Sequence, residues 1–295
     1  MEKSREKRSV WRAKIKHGKH LLSRITMYSR ITQTKGPDRV IGTHQKIDRA
    51  ARRMLVPLLN TGVDFPTILE ILHFEGLNGP DGLKTKNPGV DEPNDILIPG
   101  ANDGKLVQHV TDYMYNLTEA LKHQDRVRAS YEAAWLAHMV VDGLTPAHHY
   151  PLKEELKHLD DRDIEHIDKI YKKWILPGSN PTSFIRNNWH YIGPKGVMIS
   201  HLLYELGVAV IISPVTPKQL MVKITPRELE EVKAGKYLEV FNEGVNKIND
   251  LKMYDIYMKK GWTNDLASQT RRILIPEMAR YVTLGWLAAI YRVEK

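Results

Sequence analysis

Ala133-Ala-Trp-Leu-Ala-His138-Met-Val-Val-Asp142-Gly-Leu-Thr-Pro146-Ala-His148-His149 is the stretch whose reading decides the fold. Its first ten residues hold no turn former and are apolar on nearly every side, which reads as a helix buried all round with a break at Gly143 and Pro146. Only His138 and Asp142 interrupt it with strongly polar side chains. Four residues apart, they project from one helical face, and His148 follows just after the break, where the chain can fold back toward them. An ionised carboxylate in an apolar helix is costly unless a hydrogen bond, a cation or a metal compensates it. Imidazole with carboxylate is a donor set that zinc accepts.

A second helix repeats the device. In Gly196-Val-Met-Ile-Ser-His201-Leu-Leu-Tyr-Glu205-Leu-Gly-Val-Ala-Val-Ile-Ile-Ser213 the strongly ionisable side chains are His201 and Glu205, again four apart in apolar surroundings. One such pair reads first as a core histidine satisfied by its acid. Two pairs plus His148 shift the reading to metal.

The 295-residue chain has no cysteine, so disulfides, thiolate zinc sites and cysteine nucleophiles are all excluded. Any metal must be held by His, Asp and Glu. The net charge of +9 is localised: residues 1–40 carry twelve Lys and Arg against Glu2, Glu6 and Asp38, which leaves the remainder neutral. This basic arm includes Trp11, Leu21, Leu22, Ile25 and Met27. It suits an anionic membrane surface or a nucleic-acid backbone, or is a solvated or partner-bound extension. The arm lacks the apolar core of a secretory signal, and the apolar run 206–215 is shorter than the roughly 20 residues that span a bilayer. The expectation is a soluble, cytoplasmic protein, with peripheral membrane association open to it.

Along the chain, Gly42-Thr43-His44 opens a helix with Thr43 as N-cap and an apolar stripe of Ile47, Ala50, Ala51, Leu55 and Leu58, ended or kinked by Pro57. His44 and Asp48 are also four apart, but Arg49, Arg52 and Arg53 offer Asp48 surface partners, which keeps it out of the expected site. A short helix is expected from about Pro66 to His73, with Asp64 at a capping position. Six glycines and four prolines in residues 76–104 predict a long irregular loop, read as a rim over the site. Helices are expected over 105–123, from Arg126, and over 152–174, whose mixed charges read as a solvated face. Residues 176–196 read as a loop carrying Trp189, His190 and Tyr191. Thr216-Pro-Lys-Gln219, Thr225-Pro-Arg-Glu228 and Thr263-Asn264 announce further helices, the last running to the C-terminus with a kink at Pro276. No strand alternation, phosphate loop or Ser-His-Asp arrangement stands out. The fold class is therefore all-α: an arm (1–40), a metal-site helical core (41–215) and C-terminal helices (216–295) packed on it within the same domain.

Taken in order, Gly-Thr-His44, then Asp64 and His73, then His138-x3-Asp142-x3-Pro146-x-His148, then His201-x3-Glu205, resembles the zinc-dependent phospholipase C family, whose superfamily includes the fungal-type single-strand nucleases. The resemblance covers about residues 41–210. It implies a multi-helix bundle that hydrolyses phosphoester bonds with a trinuclear zinc cluster. Carried over by position, Asp142 would bridge two metals, one completed by Asp64, His73 and His138 and the other by His44. His148, His201 and Glu205 would hold the third. Asp81, Asp91 and Asp95 compete with Asp64, and His149 reads as structural or as a support to the ligands. The family's N-terminal tryptophan ligand has no counterpart near His44, since Trp11 lies 33 residues upstream, so two or three zinc ions per chain are expected.

The implied activity is that of a phospholipase C-like phosphodiesterase using a metal-bound hydroxide, with Asp142 and Asp64 as catalytic residues, acting on phospholipid or another phosphoester. Two alternatives stay open: a single-strand nuclease or nucleotidase of the same superfamily, and a non-catalytic helical interaction protein with a degenerate metal site.

Overall fold

A computed structural model describes residues 42–59, 62–75, 79–80, 97, 99, 105–150, 178, 180–193 and 196–294. Among these residues the chain is helical and contains no strand, so the all-α class holds. The arm, most of the 76–104 stretch with Asp81, Asp91 and Asp95, and the charged segment 152–174 lie outside the described residues.

The helix read as buried all round is the central element. It runs Arg126–Leu144 (α4), and from Arg128 to Leu144 every side chain is buried. Asp125 caps its start by accepting from the Arg128 amide, and it ends where Gly143, Thr145 and Pro146 intervene. Gly143 is required by packing: a Cβ there would lie 2.6 Å from the Phe241 ring and 2.9 Å from Leu106. Around α4 pack Thr43–Leu55 (α1), Ile68–His73 (α2) and Lys105–Lys122 (α3). The C-terminal helix Ile275–Val293 (α11) lies against α1, α3 and α4, where the Trp286 indole donates to the Ala133 carbonyl (2.9 Å) and the Thr283 hydroxyl to that of Ala51 (3.2 Å). One hydrophobic core thus extends from Ile47 to Ile290.

Local signals set most helix ends. Gly42, rather than Thr43, occupies the N-cap of α1, and Thr43 is the first helical residue. Pro57 ends that helix in a single 3₁₀ turn. Thr67, not Asp64, caps α2 through a reciprocal box with Glu70. The expected loop over 176–196 contains a helix instead, Pro181–Ile192 (α5), opened by a capping box between Asn180 and Ser183 with proline in the first turn. Val197–Ile212 (α6) follows, then Pro226–Lys233 (α7), Tyr237–Asp250 (α8), Met253–Lys260 (α9) and Asn264–Gln269 (α10). A π-turn over Thr270–Leu274 joins α10 to α11 just before Pro276, the position at which a kink is expected.

Two stretches, Pro181–Ile212 and Asn264–Val293, are long and apolar enough to cross a membrane by length and composition. In the second, 83% of the qualifying window is buried inside the protein, as befits a core helix. The first breaks at Gly193 between α5 and α6.

Candidate metal centre

Two groups of metal-ligating side chains form where α1, α4 and α6 present their histidines. The first is built from α1 and α4. His44 and His138 stack face to face, with ring centroids 4.1 Å apart and planes within 6°. Both direct Nε2 at Asp142, 3.6 Å from His44 to Oδ1 and 3.4 Å from His138 to Oδ2. These separations exceed good N–H···O hydrogen bonds. They are close to the roughly 3.3 Å between two donors that share one tetrahedral zinc at about 2.0–2.1 Å from each. The two carboxylate oxygens thus face two different imidazoles.

Behind His138 stands a residue absent from the sequence reading. Glu75, just past the end of α2, places Oε1 2.9 Å from His138 Nδ1, and both side chains are fully buried. A carboxylate on the far nitrogen fixes the ring's tautomer and leaves Nε2 as the metal-facing donor. His44, Glu75 and His138 lie close enough together to hold one metal ion.

Asp48 is buried near this group as well. One turn beyond His44 on α1, it is 1% exposed, and neither carboxylate oxygen has a hydrogen-bond partner among the described residues. Burial pushes its carboxyl well above the ordinary value and nearby Glu75 pushes it further, against weaker opposition from His138 and Arg49. Of the arginines expected to satisfy it, Arg49 lies near enough to oppose the shift, Arg52 donates to the Pro66 carbonyl (2.9 Å), and Arg53 lies at the surface.

The second group comes from the turn after α4 and from α6. His148 and His201 bring Nε2 to the same oxygen of Glu205, at 3.1 and 3.0 Å. Burial works to raise the Glu205 carboxyl, but His201 and His148 outweigh it and hold it at about 2. This His2Glu set can hold a metal ion. Next to it, His149 keeps out of the group. Its Nε2 donates to the Gly143 carbonyl at 2.8 Å, which braces the break after α4, and burial lowers it to about 4 so that the ring is neutral.

Structural ties hold the two groups in register. Lys46, buried on α1, donates through Nζ to the carbonyls of Ile212 and Ser213 at 2.7 and 2.8 Å, where the C-terminus of α6 attracts a cation. The Leu97 amide donates to the His148 carbonyl at 3.1 Å, so part of the expected rim does meet the second group.

Six of the eight residues singled out as metal ligands therefore come together: His44, His138 and Asp142 in one group, and His148, His201 and Glu205 in the other. Asp64 and His73 are not brought to either. Asp64 is exposed and pairs with Arg126 at 2.5 Å, so it is held at the surface and is not placed for proton transfer. His73 is exposed on the last turn of α2, edge-on to Phe74, while Glu75 two residues later turns inward. Of the aromatic residues expected in the 176–196 loop, Tyr191 is fully buried and Trp189 is 67% exposed on α5. The chain matches no protein-family model, no curated protein and no solved structure.

Proposed function

We propose that this protein is a metal-dependent hydrolase of phosphoester bonds, a phospholipase C-like phosphodiesterase of the kind its motif order resembles. The observation that carries the reading is the convergence of two His-and-carboxylate groups on one rigid helical core. A core with no chemical role is better served by apolar residues than by several buried ionisable groups. The compositions fit divalent metal: zinc suits His148, His201 and Glu205, and His44, His138 and Asp142 form the other centre.

Bound there, divalent metals supply Lewis acidity that activates water and neutralises charge on a phosphoryl group. The chain's own side chains set up that chemistry. Asp142 spans two imidazoles, Glu75 holds the His138 ring, and Glu205 collects His148 and His201. Placing these groups on α1, α4 and α6 provides the preorganisation that electrostatic catalysis needs. The basic residues 1–40 would draw the protein to anionic lipid or another polyanionic substrate, as a cytoplasmic protein acting peripherally on a membrane.

The test is turnover of a phosphocholine ester beside single-stranded DNA, using metal-loaded full-length protein and Asp142→Asn as control. Metal-dependent release from the phosphocholine ester that disappears in Asp142→Asn is expected. Hydrolysis of DNA alone would reassign the activity to the nuclease branch. No turnover of either by a fully metallated protein would refute the catalytic reading.

A further inference from the structure

Exposed apolar side chains are concentrated on one pair of helices. Among the described residues, six of the eleven large exposed hydrophobic side chains lie on α5 and α6: Phe184, Ile185, Trp189, Ile192, Leu203 and Val210. On α5, Ile185, Trp189 and Ile192 follow the i, i+4, i+7 spacing of a single helical face, and Ile185 and Trp189 are 66% and 67% exposed. Asn187 and Tyr191, on the opposite face, are buried and anchor the helix. α6 packs against α5, and its exposed Leu203 and Val210 lie on the side away from His201 and Glu205.

The charge around this face is one-sided. Arg186 and His190 share an open depression with Thr182, Ile185 and Trp189. Glu205, turned toward His148 and His201, is the only acidic residue from Pro181 to Ile212. That stretch is apolar enough to cross a membrane, yet 41% of its qualifying window is buried, against 83% in the core helix at the C-terminus. Apolar area that a core would have covered is left at the surface, and a large exposed apolar patch marks an interaction site.

We infer that the Ile185–Trp189–Ile192 face of α5 is the docking surface for a bilayer containing anionic phospholipid, with α5 lying in the plane of the headgroups. The amphipathic tryptophan ring settles at headgroup level, its aliphatic neighbours reach the acyl boundary, and Arg186 stays with the phosphates. Stable attachment takes two signals, and the chain has both: this apolar face and the basic residues 1–40, which carry the whole net charge of +9. Nucleic acid does not fit, because an aliphatic stripe offers no donor to phosphate. A second copy would set the same acid-free surface, Arg186 included, against itself. The inference rests on the peripheral-membrane part of the proposed function, not on its metal centre, and names the surface that meets the lipid.

The chain has no cysteine, so a single introduced one carries a unique environment-sensitive fluorophore. Ile185→Cys reports on this face, and Leu69→Cys, at a site 68% exposed on α2, serves as the control. Full-length protein is mixed with vesicles of equal parts phosphatidylcholine and phosphatidylserine, or of phosphatidylcholine alone. The label at position 185 is expected to shift to the blue on the mixed vesicles, and the label at position 69 to stay unchanged. In cosedimentation, Ile185→Asp combined with Trp189→Asp should lower binding to the mixed vesicles by at least about 10-fold, the worth of burying one large apolar side chain. The same variant should turn over a soluble phosphocholine ester at the wild-type rate, because neither residue belongs to the metal centre. Should the aspartates disturb folding, serine at both positions carries the same test.

Unchanged vesicle binding in the double variant, or no spectral shift at position 185, would overturn the docking face and leave attachment to the arm alone. A label at position 185 that is already blue-shifted without vesicles would mean that another part of the chain covers the face. Light scattering that finds a wild-type dimer, dissociated by the double variant, would give the face to a second copy; either result overturns the assignment. Vesicle binding as described by a protein that hydrolyses no phosphoester would refute the proposed activity and leave the docking face standing. Hydrolysis of the soluble ester by a protein that binds no vesicle would do the reverse.

Discussion

Asp142→Asn should have different effects on the metal-free and the metal-loaded protein. The amide keeps the shape of the side chain, so packing in α4 is preserved. Asp142 is the carboxylate whose oxygens stand 3.6 and 3.4 Å from the His44 and His138 nitrogens, and in the loaded protein the substitution would remove the negative ligand these imidazoles share. A metal present at about 100 times its dissociation constant stabilises the fold by about 2.7 kcal/mol. For a chain of this size each kcal/mol is worth roughly 2–3 °C, so the variant should forfeit about 5–8 °C of metal-induced stabilisation. Without metal, the same change removes one of three carboxylates buried together, so the melting temperature should rise or move by less than about 2 °C. Differential scanning fluorimetry, with and without added metal, reads both limits. An equal drop in both states would mean that Asp142 is a structural hydrogen-bonding residue, and would refute its proposed role as a metal ligand.

Three further outcomes follow from the geometry. Glu205→Gln should remove the metal held with His148 and His201 while sparing the other centre, which elemental analysis of the variant will show. Lys46→Met should destabilise the fold by about 1–3 kcal/mol, because two charge-assisted bonds to the end of α6 are lost, although the buried ammonium's desolvation offsets part of this; urea denaturation measures it, and an unchanged midpoint would contradict the tie between α1 and α6. Arg126, through its bonds to Glu70 and with help from Thr67, holds that carboxyl at about 2, so this contribution is present above the ordinary pKa near 4.5 and is lost as pH falls through about 2. With the Glu70 side chain 37% exposed, solvent screening limits it to roughly 1 kcal/mol or less, and Arg126→Ala should flatten the acid limb of the stability curve by that amount.

Much of the fold was legible because periodicity and capping chemistry agree. An all-apolar helix with a Gly-Pro break can only be central, and α4 is. Thr-Pro-x-Gln and Thr-Pro-x-Glu mark helix starts at Pro217 and Pro226, yet Asn180-Pro-Thr-Ser183 uses the same device and reads as loop because glycines and prolines surround it. Within the site, pairs at i and i+4 were readable wherever the helix was apolar on all sides. Asp48 carries the same spacing but sits among arginines, and sequence alone does not show that Arg52 reaches back to Pro66. Glu75 has no periodic signature at all, since it lies beyond the end of α2 and its direction depends on how the chain leaves the helix. His73 and Asp64 were matched by order along the chain, which does not report which of two nearby residues turns inward.

The most direct measurement is the metal content of untagged full-length protein purified without a nickel column, compared with Asp142→Asn and Glu205→Gln. The account predicts at least two divalent ions per chain in the wild type, with zinc lost in Glu205→Gln and the other ion lost in Asp142→Asn. Protein that carries no metal, takes up none of the added zinc, and gains no thermal stability from it would contradict the account.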